Sequence, residues 1–469
     1  MSWRPPAERM PQAEQPQATT TPQSKALPAA AWLLLAGLLG GCGDDRVEIL
    51  PGAAQSYRLP DSNGLSPSQC WYGLGSGADG SIYIGASDHL SNAALFRLAP
   101  GAERFVAVGD ARSASQAADN WREGETVEKF HVRPTELGGR IYLGGLDYSF
   151  YNAGYARERG FHWYAYDPAE DSFTDLSAAE PDGIASPLQL ESLAADRANG
   201  LLYGAGVPRG HLLRYEPASG RSSDLGRPAA LEEEFVEFDS FIWLGGDGRV
   251  YFAIEGRGEL FDHVHYYDPK TQSFGERRDW RFEGPGPEAR DPKRAAEASE
   301  EDRRRNIKAP RAARIPKLGQ CVADAAGRRC YMADNNARIY RFSEPAGGEP
   351  RWDYLGSLRF PAPHEAALLV TRSFQLSPDE RHIYLVNDRY RGAPGVLLHR
   401  FDIASGESRV LADLAELDPA SDYRDFNLHC GHDAWDAEGR FYIGSFGLSG
   451  EGGNVVVTRI DPGKFVLGD

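Results

Sequence analysis

The sequence predicts an all-β protein: a seven-bladed β-propeller of four-stranded blades, with one charged insertion between blades 4 and 5. Three observations predict it. A hairpin signal, a Gly turn followed by apolar-Tyr-apolar alternation, recurs at Tyr83, Tyr142, Tyr203, Tyr251, Tyr331, Tyr384 and Tyr442. A second alternating strand follows each Tyr and generally runs into a turn: LFRLAP, WYAYDP, LLRYEP, HYYDP, IYRFSEP, LHRFDI and VTRIDP. The copies fill the chain at similar spacing, apart from one stretched interval between Tyr251 and Tyr331. With a further short strand after most copies, each unit holds about four strands, the grammar of a propeller blade. An open sheet of about 28 strands would leave long unprotected edges, whereas radial closure hides them.

The elements follow in chain order. Leu27 to Leu39 (LPAAAWLLLAGLL) is the one long apolar run; it is too short for the roughly 20 residues that span a bilayer but suits a signal-peptide core. Lys25 precedes it, and Leu39-Gly40-Gly41-Cys42 follows. This resembles the bacterial lipoprotein signal, which implies removal of residues 1–41 and lipidation of Cys42. Gly43 rather than Asp comes next, which favours outer-membrane sorting; Met10 is an alternative start. Residues 42–469 form the propeller. A strand within 46–58 (RVEILPGAAQSYR) is expected to close the ring against the last blade, and KFVLG is a candidate outer strand of repeat seven. The Tyr of each repeat is expected to pack between blades. The stretched interval holds the insertion, 283–317, whose mixed charge, Pro and Ala without apolar periodicity read as a solvated loop.

Composition bounds the function. The 469 residues carry a net charge of −17, and removing Arg4, Arg9 and Lys25 with Glu8 and Glu14 leaves the mature chain near −18. That balance excludes nucleic acid as the main partner, because phosphate binding needs clustered cations. Five Cys are too few for a disulfide framework in a chain this long. No GxSxG, P-loop, HExxH or dinucleotide fingerprint appears. The expectation is a monomer held at the bacterial envelope by its acyl chains, facing periplasm or exterior.

Repeats two and three carry more than blade grammar. The segments KFHVRPTELGGRIYLGG, GFHWYAYDPAEDSFTDLS and LAADRANGLLYGAGVPRGHLLRYEPASGRSSDLGR resemble the propeller polysaccharide lyases that act on ulvan, over roughly residues 125 to 275. The resemblance implies β-elimination at a uronate, which needs a cation to neutralise the sugar carboxylate, a base for C5–H and an acid for the leaving oxygen. His131 suits the base or acid, Tyr203 the partner if a cation lowers its pKa, and Arg209 or Arg257 the carboxylate. The chain departs from that pattern. Leu146-Asp147 stands where a second His is expected, and FDSFIWLGG lacks an expected Arg. As a structural group, His131 would be a hydrogen-bonded histidine at the channel rim.

A second constellation, Asn427-Leu428-His429-Cys430-Gly431-His432-Asp433, enters the innermost strand of repeat seven; Cys70 and Cys321 hold comparable places in repeats one and five. Cys70, Cys321, His429, Cys430 and His432 are candidate ligands for one structural metal ion, zinc or calcium. Disulfides compete with that reading: Cys321 with Cys330 across the turn at Ala325-Ala326, or Cys70 with Cys430. Three functions stay open on sequence: a propeller binding a glycan at its channel mouth, a lyase, and a structural component of an envelope assembly.

Overall fold

The computed structural model describes residues 47–88, 92–146, 160–180, 188–207, 210–229, 237–255, 263–282, 321–324, 327–334, 338–345, 348–358, 371–387, 396–418, 429–445 and 453–468. The leader at 1–41, Cys42, Asp147, Arg209, Arg257 and the insertion at 283–317 lie outside these residues, as do the side chains of His429, Cys430 and His432.

Six four-stranded antiparallel units follow one another along residues 74–110, 135–175, 189–226, 237–281, 322–357 and 371–413, and a seventh is made of three strands along 429–460 and a fourth at 54–58. Within the first six, sequence neighbours are sheet neighbours, so each of these blades is a meander running outward from its first strand. The innermost strands of blades 6 and 7, Thr371–Leu376 and His429–His432, are themselves bridged in parallel at Ser373–Gly431 and Phe374–His432. Ser76 Oγ on the innermost strand of blade 1 donates to Asp433 O at 2.8 Å, which makes the first and last blades neighbours. The fold is a seven-bladed β-propeller.

Closure uses the amino-terminal strand, with a difference from expectation. Residues 46–58 form two strands, because Pro51-Gly52 makes a turn with Gly52 at φ +80°. Ala54–Arg58 takes the outermost place of blade 7, paired residue by residue with Val456–Ile460. Val47–Ile49 pairs instead with Phe465–Leu467, so KFVLG forms a separate two-stranded ribbon and not the outer strand of blade 7. Asp418, just past blade 6, accepts hydrogen bonds from Ser56 Oγ and, at 2.8 Å, from Thr458 Oγ1, which ties the closing pair to the neighbouring blade.

The seven repeat tyrosines are all buried. They pack between adjacent sheets: Tyr203, Ala205 and Leu212 of blade 3 meet Ile242, Val250, Phe252 and Tyr267 of blade 4. Burying each large apolar side chain contributes roughly 1.5–3 kcal/mol. Three of these rings do more. Tyr83, Tyr251 and Tyr442 donate their hydroxyls to Asp79, Asp247 and Asp436 at 2.8–2.9 Å, and each Asp also accepts a backbone N–H two or four residues on. The aspartate closes the turn into the second strand, and the phenol pins that turn to the blade.

Candidate functional site

A cavity of about 680 Å³ lies at the centre of the ring, walled by residues at the innermost strands of blades 2 to 7. Its charged lining consists of Arg133, Arg197, Glu191, Asp196, Asp324, Glu380 and Asp433, with Trp243 and Trp435 as the aromatic lining. Carboxylates outnumber guanidiniums there, so the funnel follows the acidic balance of the chain.

Most of these charges are already satisfied. Arg329 lies 2.9 Å from Asp324 and 2.6 Å from Glu380. Asp196 Oδ1 accepts from Asn199 N, and Arg197 pairs with Glu136. Arg133 and Asp433 differ. Among the described residues, neither side chain makes a hydrogen bond or an ion pair, yet each feels the other's field. Burial pushes the Arg133 guanidinium below its usual value, opposed by Asp433. Burial likewise pushes the Asp433 carboxyl up, with Arg133 and Arg197 pulling it back.

Local sequence explains both placements. Arg133 immediately precedes Pro134 and the innermost strand of blade 2, Thr135–Leu137. Its stem crosses Gly75 on blade 1, where a Cβ would stand 3.1 Å from Arg133 Cγ, a tight approach that glycine eases. Asp433 follows the innermost strand of blade 7 in the left-handed region, φ +54°, which aspartate tolerates better than most residues.

His131 is only 5% exposed, enclosed by Trp71 and Tyr72 with ring centroids 5.7 and 4.8 Å away. Its Nδ1 lies 3.3 Å from Glu191 Oε2 on blade 3, and Lys129 Nζ sits 4.1 Å over the Trp71 ring. It is a buried histidine joining blades 1, 2 and 3. Tyr203 belongs to the core between blades 3 and 4, 1% exposed, away from the cavity lining. Burial, with Asp196 adding to it, pushes its phenol up to about 12, opposite to the direction a catalytic phenol needs. The expected His131–Tyr203 pair is therefore corrected: the two side chains pack in separate surroundings.

The cysteines divide. Cys321 is bonded to Cys330, with Cα atoms 5.8 Å apart, so Cys321 is a disulfide partner and not a metal ligand. Cys70 is buried in the cluster between blades 1 and 7. The backbone of His429–His432 forms the innermost strand of blade 7, as expected. Arg133 and Arg197 escape sequence reasoning, and their only signal is adjacency to the ends of innermost strands.

Fold and site together define a class, a seven-bladed propeller with a polar cavity on its axis. No protein-family model matches the sequence, and no curated protein matches it. Among solved structures, the chain is similar to the β-propeller domain of Cps50 (Swd1) from Myceliophteria thermophila. The identity is 8% and the TM-score 0.49, over 86% of this chain and 99% of that one.

Proposed function

We propose that the protein is a lipid-anchored, extracytoplasmic propeller that binds a glycan in its axial cavity. The observation that carries the reading is Arg133 and Asp433: a cation and a carboxyl with no described partner, both lining one cavity. Vicinal sugar hydroxyls donate and accept at once, so one ring can satisfy both groups, with charge-assisted bonds to each. The volume falls in the range of roughly 300–1,000 Å³ that holds small ligands, and half-buried Trp435 supplies an apolar wall.

The acid-rich lining favours a neutral sugar over a polyuronate, whose carboxylates it would repel. With Tyr203 in the core, the elimination chemistry lacks its proposed phenol. The Cys321–Cys330 bond accords with an oxidising compartment, and Cys42 lies five residues before the first strand at Val47, a short tether for an anchored propeller. Among the described residues, no helix is long and apolar enough to cross a membrane.

Calorimetric titration with neutral and acidic oligosaccharides tests the reading. Binding is expected for a neutral member, weakened roughly 10- to 100-fold by Arg133→Ala, as for losing a charge-assisted hydrogen bond. Binding indifferent to Arg133→Ala, or absent across the panel, overturns it. Unsaturated product from a uronate polymer, lost in His131→Ala, establishes the lyase instead. Cys42→Ser is expected to release the protein from membranes, and unchanged retention contradicts the anchor.

A further inference from the structure

Blade 4 carries a second polar cluster, remote in sequence from the cavity residues above. Its third strand, His263–Asp268, opens with His263-Val264-His265, and a strand's two-residue period puts both imidazoles on one face. The outer strand, Ser273–Arg281, sets Glu276 directly opposite His265. Directly opposed residues share a face, so register alone brings the three together. One donor atom from each lies within 4.8 Å of the other two. His263 Nε2 is already 3.1 Å from Glu276 Oε2, and the two imidazole centroids are 4.6 Å apart.

The surroundings orient these donors. The His265 ring stacks on Phe252, 5.9 Å away and 14° from parallel. Arg278 Nε donates to Glu276 Oε1 at 2.6 Å, which directs the other oxygen to the histidines. A bulge between His263 and Val264, where the pairing shifts from Arg281 to Arg277, brings Arg278 to this position. Both histidines are buried and Glu276 is exposed, which gives an entry path from solvent.

We propose that His263, His265 and Glu276 bind one divalent transition-metal ion of the zinc type, fastening the third strand of blade 4 to its outer strand. Two imidazoles with one carboxylate select zinc-like ions over calcium or magnesium, which take oxygen ligands. Metal–donor distances of about 2.0–2.2 Å put tetrahedral donors roughly 3.3 Å apart. The His263–Glu276 pair meets that spacing, and His265 places its ring nitrogen within 4.8 Å of both. Three protein donors leave a fourth position for water. The Arg278–Glu276 bond is the outer partner that such ligands usually carry.

The test uses the full chain, stripped with a chelator and titrated with zinc against a chromogenic competitor, then with cobalt read by its visible spectrum. One ion per chain is expected, with a rise in melting temperature. His265→Ala abolishes uptake at this site, and Arg278→Ala weakens it roughly 10- to 100-fold. Glu276→Gln changes only an exposed carboxyl, so the fold persists while both uptake and the zinc-induced thermal rise are lost. Cys70→Ser and Cys430→Ser leave the uptake unchanged. No uptake by the wild type, or uptake that survives both Glu276→Gln and His265→Ala, overturns the site.

Discussion

Two tyrosines that look identical in the repeat pattern respond oppositely to losing a hydroxyl. In blade 4 the Tyr251 hydroxyl donates to Asp247 Oδ2 at 2.8 Å, and burial, with that carboxylate, drives its phenol far up. In blade 5 the Tyr331 hydroxyl is buried and has no hydrogen-bond partner among the described residues. A hydrogen bond to a charged group is worth roughly 1.5–3 kcal/mol, whereas removing an unpaired buried hydroxyl relieves a desolvation cost. Tyr251→Phe therefore costs about 1.5–3 kcal/mol, and Tyr331→Phe is neutral or stabilising by up to about 1 kcal/mol. For a folded unit spanning residues 47–468, an unfolding entropy near 0.9 kcal/mol/K turns the first cost into a melting-temperature fall of about 2–3 °C. Scanning calorimetry of the two variants beside wild type, at one scan rate, reads the difference. Equal falls, or the larger fall in Tyr331→Phe, would refute the assignment of the phenol–aspartate clip.

Other outcomes follow from named contacts. His162 Nδ1 lies 2.7 Å from Asp175, and Nε2 lies 3.3 Å from Glu125. Burial disfavours its charge, but the two carboxylates outweigh that and raise its pKa. The stability this adds is full below about pH 6.5 and is lost as pH rises through the raised folded value. Asp175, burdened by burial but lowered overall by His162, keeps its contribution above about pH 4 and loses it as pH falls through its depressed value. Melting temperature against pH is expected to fall above neutrality in wild type and to lose that slope in His162→Asn; an unchanged slope contradicts the pairing. Cys321 and Cys330 are expected to resist alkylation until reduced, and the paired Ser variant to lose about 2–3 kcal/mol by the loop-entropy estimate for their separation of nine. Ready alkylation of untreated protein contradicts the bond. Tyr57→Ala, in the closing strand, is expected to cost about 3–5 kcal/mol by emptying the contact with Phe105 and Tyr442, measured by denaturant unfolding.

The blades are legible in the sequence because each repeats one local pattern, and the pattern is set by burial between sheets. The closing strand is legible for the same reason, since a ring whose last blade lacks a partner strand must find one. The split at Pro51-Gly52 is harder to foresee, because a short strand pairing depends on where Phe465–Leu467 lies in space. Tyr203 misleads because packing and catalysis ask for the same residue in the same grammar, and only its neighbours, Tyr267 and Ile242 among them, separate the two. Arg133 and Asp433 stand 300 residues apart, and their common cavity is a product of ring closure. His263 and His265 are legible as a two-residue spacing on a strand, but Glu276 joins them only through the register across the intervening turn.

The central claim, that the axial cavity is where ligand binds, is tested most directly by blocking its mouth. Ala198 is exposed, lines the cavity and lies outside the blade core. Saturation-transfer NMR with the best sugar from the titration panel, on wild type and on Ala198→Trp, reads occupancy without relying on any charge. The account predicts strong transfer in wild type and its loss in Ala198→Trp at unchanged melting temperature. Undiminished transfer in the blocked variant would contradict it, placing the sugar elsewhere on the propeller.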